Sequence, residues 1–240
     1  MKSIAVIPAR YDSSRLHGKP LADIHGKPMI WWVYNQVKQV EEFDMVIVAT
    51  DDKRIADACK SLNIDFVMTS NQHKTMTSRI HEVSSKIDSD VYVVVNGDEP
   101  LIKPAMIRTV FPQTLGDFYA RNLTSLISDP SDVLDVTNIK VVFNDDMQAA
   151  YMSRSPIPYP KSTVTPKYFK HLGVVAYSKD ALDFYANTKP GTLELVEDID
   201  YLRFIENQKP FQMVLTSESS ISVDTPKDLE KVRQIIAESR

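Results

Sequence analysis

Between positions 8 and 20 the chain reads Pro8-Ala-Arg-Tyr-Asp-Ser-Ser-Arg-Leu-His-Gly-Lys-Pro20, which gathers three cations, Arg10, Arg15 and Lys19, and two hydroxyls, Ser13 and Ser14, within ten residues. Such a set can hold a polyphosphate by side-chain charge and hydroxyl hydrogen bonds. A solvated basic loop has the same composition. The backbone route to a phosphate site is excluded, because the loop lacks G-x-G-x-x-G and Gly18-Lys19 runs into Pro20 with no glycine five residues upstream. Only 6 of 240 residues are glycine, about a third of ordinary usage, so glycine-rich nucleotide loops have little raw material. Two carboxylates complete the chemistry-bearing set. Asp98 lies in Asn96-Gly-Asp-Glu-Pro100 and Asp224 in Ser222-Val-Asp-Thr-Pro-Lys-Asp228. Loop carboxylates of this kind suit a hydrated Mg²⁺ shared with substrate phosphates. The competing readings are a turn residue for Asp98 and a helix cap for Asp224.

Positioning these groups requires a sheet. Ser3 to Pro8, Met45 to Thr50, Asp65 to Met68 and Val91 to Asn96 are short, nearly all-apolar runs, as expected of strands covered by helices on both faces. The segments Met29 to Val40, Asp52 to Leu62 and Thr77 to Lys86 have helical periodicity, with Asp51 as a candidate N-cap of the second. This alternation predicts a doubly wound, mostly parallel sheet, and ligands of such sheets bind beyond the carboxyl ends of the strands. The Arg10 loop and Asp98 both fall there. After Pro100 the pattern changes. One helix is expected over Pro104 to Leu115, then strands over Asn122 to Ile127, Ile139 to Asn144 and Ala149 to Ser153 without clear helices between them, and an irregular proline-rich stretch from Ser155 to Pro166. A strand over Phe169 to Tyr177, helices over Lys179 to Thr188 and Leu193 to Asn207, a strand near Phe211 to Leu215 and a helix from Pro226 follow. The chain therefore reads as one domain, 1–240, with a β-rich subdomain embedded at about 104–178.

Composition narrows the partners. A formal net charge of -4 argues against nucleic acid or an anionic membrane as the main partner. The single cysteine, Cys59, excludes an intramolecular disulfide and a multi-thiolate metal site, which fits a reducing compartment. With no signal-like start and no 18-residue apolar run, a cytoplasmic location is expected.

Longer motifs carry a resemblance over nearly the whole chain. Ile7-Pro-Ala-Arg-Tyr-x-Ser-Ser-Arg-Leu-x-Gly-Lys-Pro-Leu21, Gly26-Lys-Pro-Met-Ile30, Val48-Ala-Thr-Asp-Asp52, Val67-Met-Thr-Ser70, Gly97-Asp-Glu-Pro-Leu-Ile102, Ser153-Arg-Ser-Pro-Ile-Pro158, His171-Leu-Gly173 and Val223-Asp-Thr-Pro-x-Asp-Leu229 occur in order. Together they resemble the 3-deoxy-manno-octulosonate cytidylyltransferases, the CMP-Kdo synthetases of bacterial envelope biosynthesis. The resemblance implies a nucleotide-diphospho-sugar transferase fold, a Mg²⁺ requirement, a homodimer formed through the inserted region, and transfer of CMP from CTP to a small sugar acid with release of pyrophosphate. It also implies site roles. Arg10, Lys19 and Asp98 would be catalytic; Ala9, Arg10, Ser13, Ser14, Arg15, Lys19, Thr75, Arg79 and Asp98 would bind the nucleotide; Asp98 and Asp224 would hold the metal. On the acceptor side the candidates are Asn96, Arg154, His171 and Glu194. Each has a plainer reading as well: an ion pair for Arg79 and Arg154, a satisfied core histidine for His171, a helix-dipole partner for Glu194.

The chain departs from the family pattern at a few positions. His73-Lys-Thr-Met-Thr-Ser-Arg79 has Met76 in place of a glycine and Ser78 in place of an acid; Asn96 replaces a common Gln, Val175 an aromatic residue and Met152 a Phe. Because the loss of one buried polar contact can change discrimination by about 10⁴ in favourable cases, these exchanges can redirect the acceptor. Two further functions stay open on the sequence: CMP transfer to a sialic-acid-like or phosphorylated acceptor, and a catalytically idle nucleotide-binding relative. The full set Arg10, Lys19, Asp98 and Asp224 argues against the idle one.

Overall fold

In a computed structural model describing residues 1–12, 16–116, 118–218 and 220–239, the first apolar run forms β1 (Ser3–Ala9) at the middle of the main sheet. Ser13, Ser14 and Arg15 lie outside the described residues. A single turn of 3-10 helix (Lys19–Leu21) and the small β2 (Asp23–Ile24) and β3 (Lys27–Pro28) ribbon lead into α1 (Met29–Val37). Then come β4 (Met45–Thr50), α2 (Lys53–Ser61), β5 (Phe66–Met68), α3 (Met76–Lys86) and β6 (Val91–Val95). The second half contains α4 (Pro104–Arg108), β7 (Ala120–Leu126), α5 (Pro130–Leu134), β8 (Lys140–Phe143), β9 (Ala149–Ser153) and β10 (Phe169–Ser178). It closes with α6 (Lys179–Asn187), α7 (Thr192–Glu197), α8 (Leu202–Glu206), β11 (Gln212–Thr216) and α9 (Pro226–Glu238).

The main sheet runs β11-β7-β10-β6-β1-β4-β5, with the β8–β9 ribbon attached to β10. Strands β6, β1, β4 and β5 are parallel; β10 is antiparallel to both its neighbours, and β11 is parallel to β7. Alternation along each strand serves two cores. Ala5 and Ile7 pack with Ile30, Val33 and Val37 of α1 and with Ile55 of α2, whereas Ile4 and Val6 pack with Ile80 and Val83 of α3 and with Leu182 of α6. Hence all five residues of β6 are apolar and buried. Each such side chain contributes about 1.5–3 kcal/mol on burial. A third cluster, Ile24, Met29, Val223, Leu229, Val232 and Ile236, fastens α9 beside the small ribbon.

Several boundaries differ from expectation for local reasons. The N-cap of α2 is Asp52, whose side chain accepts from Arg54 N, and not Asp51. Helix α1 ends at Val37 rather than Val40. The helix expected to reach Leu115 ends at Arg108, where the Thr109 hydroxyl bonds the Met106 carbonyl and Pro112 lies ahead. The single helix expected over Leu193 to Asn207 is two, α7 and α8, broken at Asp198 in the left-handed region (φ 53°). Helix α5 was not anticipated, although Asp129 caps it ahead of Pro130, a regular start signal.

Candidate active site

The strand order reverses between β1 and β6, since β1 and β4 are joined on one side through α1 while the chain returns from β5 through α3 to the other side of β1. Loops leaving two adjacent parallel strands diverge at such a point and open a crevice. Arg10 follows β1 there, and Asn96, Gly97 and Asp98 follow β6. Gly97 is required by proximity, because a Cβ would stand 2.7 Å from the Pro8 carbonyl oxygen.

Lys19 enters from the 3-10 turn. Its position is set by Gly18, which takes φ 67° and donates its N–H to the Tyr11 carbonyl at 3.0 Å, closing the loop that Arg10 begins. Asp224 arrives from the opposite end of the chain. Val223 N donates to the Asp98 carbonyl at 2.8 Å, which lays the segment before α9 along the loop after β6. The cap of α9 is Thr225, reciprocated by Asp228, so the Asp224 carboxylate is released from capping. It accepts from Lys19 Nζ at 3.2 Å, while Asp98 Oδ2 accepts from the same ammonium at 2.7 Å. Burial alone would lower the Lys19 pKa, but Asp98 and then Asp224 outweigh it and hold the ammonium above its ordinary value. Lys19 is thus a permanent cation. Asp98 Oδ1 and Asn96 Oδ1 are buried acceptors with no hydrogen-bond partner among the described residues.

These groups line one hollow of about 520 Å³, and Ala9, Arg10, Lys19, Thr75, Arg79, Asn96, Asp98 and Asp224 all border it. Within its wall, buried Arg79 donates to Asp51 Oδ2 at 2.7 Å and to Thr69 Oγ1. A larger hollow, about 730 Å³, shares His73, Thr75 and Met76 with it and is bordered by Ser78, Glu194, Asp200 and Arg203. Glu194 is 5% exposed, and both its oxygens are engaged by Arg203. Thr75 caps α3 and accepts from the Tyr185 hydroxyl at 2.9 Å.

Arg154 and His171 border neither hollow. Each guanidinium nitrogen of Arg154 donates to a carbonyl, of Glu197, Val136 or Asp198. His171 faces Asn122, whose Nδ2 is already committed to the Leu172 and Val174 carbonyls; Asn122 Oδ1 is therefore an acceptor, and His171 Nδ1 carries the proton across 2.9 Å. Burial pushes this imidazole down to about 4. The unfolded chain takes up that proton near pH 6.5, so stability present above pH 6.5 is lost as the pH falls toward 4. Urea unfolding at pH 7, 5.5 and 4 should show the parent losing stability more steeply than His171→Gln on acidification, by up to about 1.4 kcal/mol per pH unit; equal slopes in both proteins would reject it.

Two of the sequence departures belong to the core and not to the site. Val175 and Met152 are fully buried against the α6 and α8 side of the sheet. Met76, Ser78 and Asn96 do border the hollows. Three groups at or beside the site, His73, Asp51 and Glu99, have no site role on the sequence alone. His73 is held by Glu82 at 2.5 Å and faces Ser78 Oγ at 3.1 Å. Although burial acts to raise it, Lys86, His73 and the Ser70 amide pull Glu82 down to about 2. Asp51 is the counter-ion of Arg79. Glu99, 5% exposed, accepts from Ser220 Oγ, and burial beside Asp98 pushes its carboxyl up to about 7. The signals are local: an Asp directly after β4, a His in a quoted motif, and an acid directly after Asp98.

Comparison with known proteins gives a consistent set of likenesses. A cytidylyltransferase family model matches residues 4–218. The 3-deoxy-manno-octulosonate cytidylyltransferase of Escherichia coli is 40% identical over 99% of this chain and 97% of its own length. That of Geobacter metallireducens is 42% identical over 97% of this chain and 96% of its own. A CMP:2-keto-3-deoxy-manno-octonic acid synthetase solved in complex with CTP superposes with a TM-score of 0.94 at 38% identity, covering all of both chains. The inositol-1-phosphate CTP transferase of T. maritima, at 13% identity and a TM-score of 0.71 over 98% of this chain and 95% of its own, shares the fold.

Proposed function

The chain belongs to the 3-deoxy-manno-octulosonate cytidylyltransferase family, and on that premise we propose that it transfers CMP from CTP to the anomeric hydroxyl of 3-deoxy-manno-octulosonate (Kdo), releasing pyrophosphate. The observation that carries this reading is the convergence of Arg10, Lys19, Asn96, Asp98 and Asp224, drawn from both ends of the chain, on one hollow. Lys19 and Arg10 neutralise the triphosphate, Lys19 as a cation already fixed by two carboxylates. Buried Arg79 supports the wall that Thr75 shares. Asn96 Oδ1, an uncommitted acceptor, takes a donor from the acceptor sugar. Glu194 holds a wall of the larger hollow through Arg203, whereas Arg154 and His171 are tied to carbonyls and to Asn122 away from both hollows and act as structural residues.

The donor set also fits a divalent ion. Two carboxylates, one with a buried uncommitted oxygen, are few for a dedicated cage and suitable for Mg²⁺ shared with phosphate oxygens. Among the described residues no cluster of three or more His, Cys, Asp or Glu is arranged for a metal. Asp98 and Asp224 would hold the ion, which when bound supplies charge neutralisation and a lowered hydroxyl pKa. With the acceptor hydroxyl placed in line, positioning and charge suffice for phosphoryl transfer.

The embedded region 104–178 is proposed as the dimer contact. Leu126, Leu134, Val136, Tyr159 and Val164 are exposed along it, an apolar surface that a second copy would cover. No described helix is long and apolar enough to cross a membrane. The proposed setting is the cytoplasm, where CMP-Kdo feeds lipopolysaccharide or capsule synthesis. The decisive measurement is pyrophosphate release with each nucleoside triphosphate against a panel of sugar acids in Mg²⁺. CTP with Kdo should turn over fastest; a preference for a sialic acid or a phosphorylated acceptor would replace the acceptor assignment, and Met76, Ser78 and Asn96 would be the first residues to exchange.

A further inference from the structure

We propose that Glu99 is a positioning residue that keeps the two halves of the site in register, an inference that rests on the metal reading of Asp98 and Asp224 above. Glu99 follows Asp98 directly, yet its side chain turns inward, is 5% exposed and does not border the hollow. Its carboxylate accepts from Ser220 Oγ, four residues before Asp224. On another side it lies against the Gly173 backbone amide. Gly173 in turn backs Asn96: its carbonyl accepts from Asn96 N at 2.8 Å, and a Cβ on Gly173 would stand 2.6 Å from Asn96 Nδ2. One buried carboxylate therefore joins the strand that supports Asn96 to the segment that delivers Asp224, while its own backbone neighbour is Asp98. The Val223 N–H to Asp98 carbonyl bond, 2.8 Å, runs parallel to this bridge and closes the segment onto the loop after β6.

The residue type follows from the donors. A hydroxyl and, on another side, a backbone amide meet this one buried group, and a carboxyl offers an acceptor oxygen to each. Shortening or removing it leaves both donors without a partner and lets the 220–224 segment lift, which moves Asp224 relative to Asp98 without touching the substrate. Groups that orient metal ligands in this way typically change metal affinity or activity by about 10–100-fold when removed.

Three variants separate this role from simple stability. Ser220→Ala removes one arm of the bridge. Glu99→Ala removes both. Glu99→Gln keeps the shape, accepts from the Gly173 amide and donates to Ser220 Oγ. The readouts are CTP:Kdo turnover as a function of Mg²⁺ concentration, calorimetric CTP affinity in Mg²⁺, and thermal unfolding. In Ser220→Ala the Mg²⁺ concentration giving half-maximal turnover should rise about tenfold. In Glu99→Ala it should rise further, with CTP affinity falling in the same order. Glu99→Gln should restore both to within about threefold of the parent protein. Variants that melt earlier while keeping the parental Mg²⁺ requirement and CTP affinity would overturn the proposal. If Glu99→Ala does not fold, Ser220→Ala and Glu99→Gln decide it. A parent protein whose turnover needs no divalent ion would refute the metal reading itself.

Discussion

Asp98→Asn will leave the protein folded and reduce CMP transfer by about three orders of magnitude, the upper end of what removal of one preorganised electrostatic group costs. The substitution preserves volume but removes the charge that Lys19 meets at 2.7 Å and exchanges an uncommitted buried oxygen for an amide. Lys19 retains Asp224 at 3.2 Å, so the ammonium keeps one counter-ion while the proposed metal position keeps only one of its two carboxylates. Stability should scarcely change, because the lost ion pair is offset by relief of the repulsion between Asp98 and the buried Glu99 beside it. The melting temperature should move by less than about 4 °C, the equivalent of 1 kcal/mol for a chain of this size. Pyrophosphate release and a thermal melt on the same preparation decide the matter. Parental turnover in the variant would remove Asp98 from the chemistry.

The second large effect lies in the larger hollow and concerns folding. Glu194→Ala should destabilise the protein by about 3–5 kcal/mol, because it strands a buried guanidinium without its counter-ion. Arg203 is 7% exposed and donates to both Glu194 oxygens, to the Tyr185 and Thr188 carbonyls, and lies 3.7 Å over the Tyr185 ring. Chemical unfolding should show the loss in the midpoint. The alternative carried by the sequence, direct contact with the acceptor sugar, makes the opposite forecast: unchanged unfolding with a raised KM for Kdo alone. Tyr185 gives the pair a functional reach, since its hydroxyl also holds Thr75 at the start of α3.

What could be read from the residues follows from the range over which each signal acts. Strands β1, β4 and β6 were legible because burial on both faces makes nearly every residue apolar, a pattern that needs no partner information. The Arg10 loop and Asp98 followed, because a strand end fixes where the next residues go. Asp224 was ambiguous on its own: a carboxylate before Thr-Pro reads as a cap, and only the reciprocal Thr225–Asp228 bonds show that the cap lies one residue on. Its meeting with Asp98 depends on Val223 docking across the sheet, which no local spacing encodes. The same holds for Arg79, whose choice between substrate anion and ion pair turns on Asp51, at the end of a different strand. The break at Asp198 was missed because the helical apolar pattern continues through it on both sides while the backbone does not. Core positions such as Val175 were misplaced by analogy, since a departure within a site motif need not face the site.

The docking of Val223 on Asp98 also sets an order in time. During synthesis the parallel strands, Lys19 and Asp98 are all present once β6 has formed, but the second carboxylate joins only after β11 has been laid at the far edge of the sheet and the chain has returned past residue 223. Chains generally fold from the N-terminal side as they emerge. A nascent chain can thus own a nearly complete sheet, Lys19 and Asp98 before Asp224 arrives, so that under the proposed roles of these residues catalytic competence is the last property the growing polypeptide acquires.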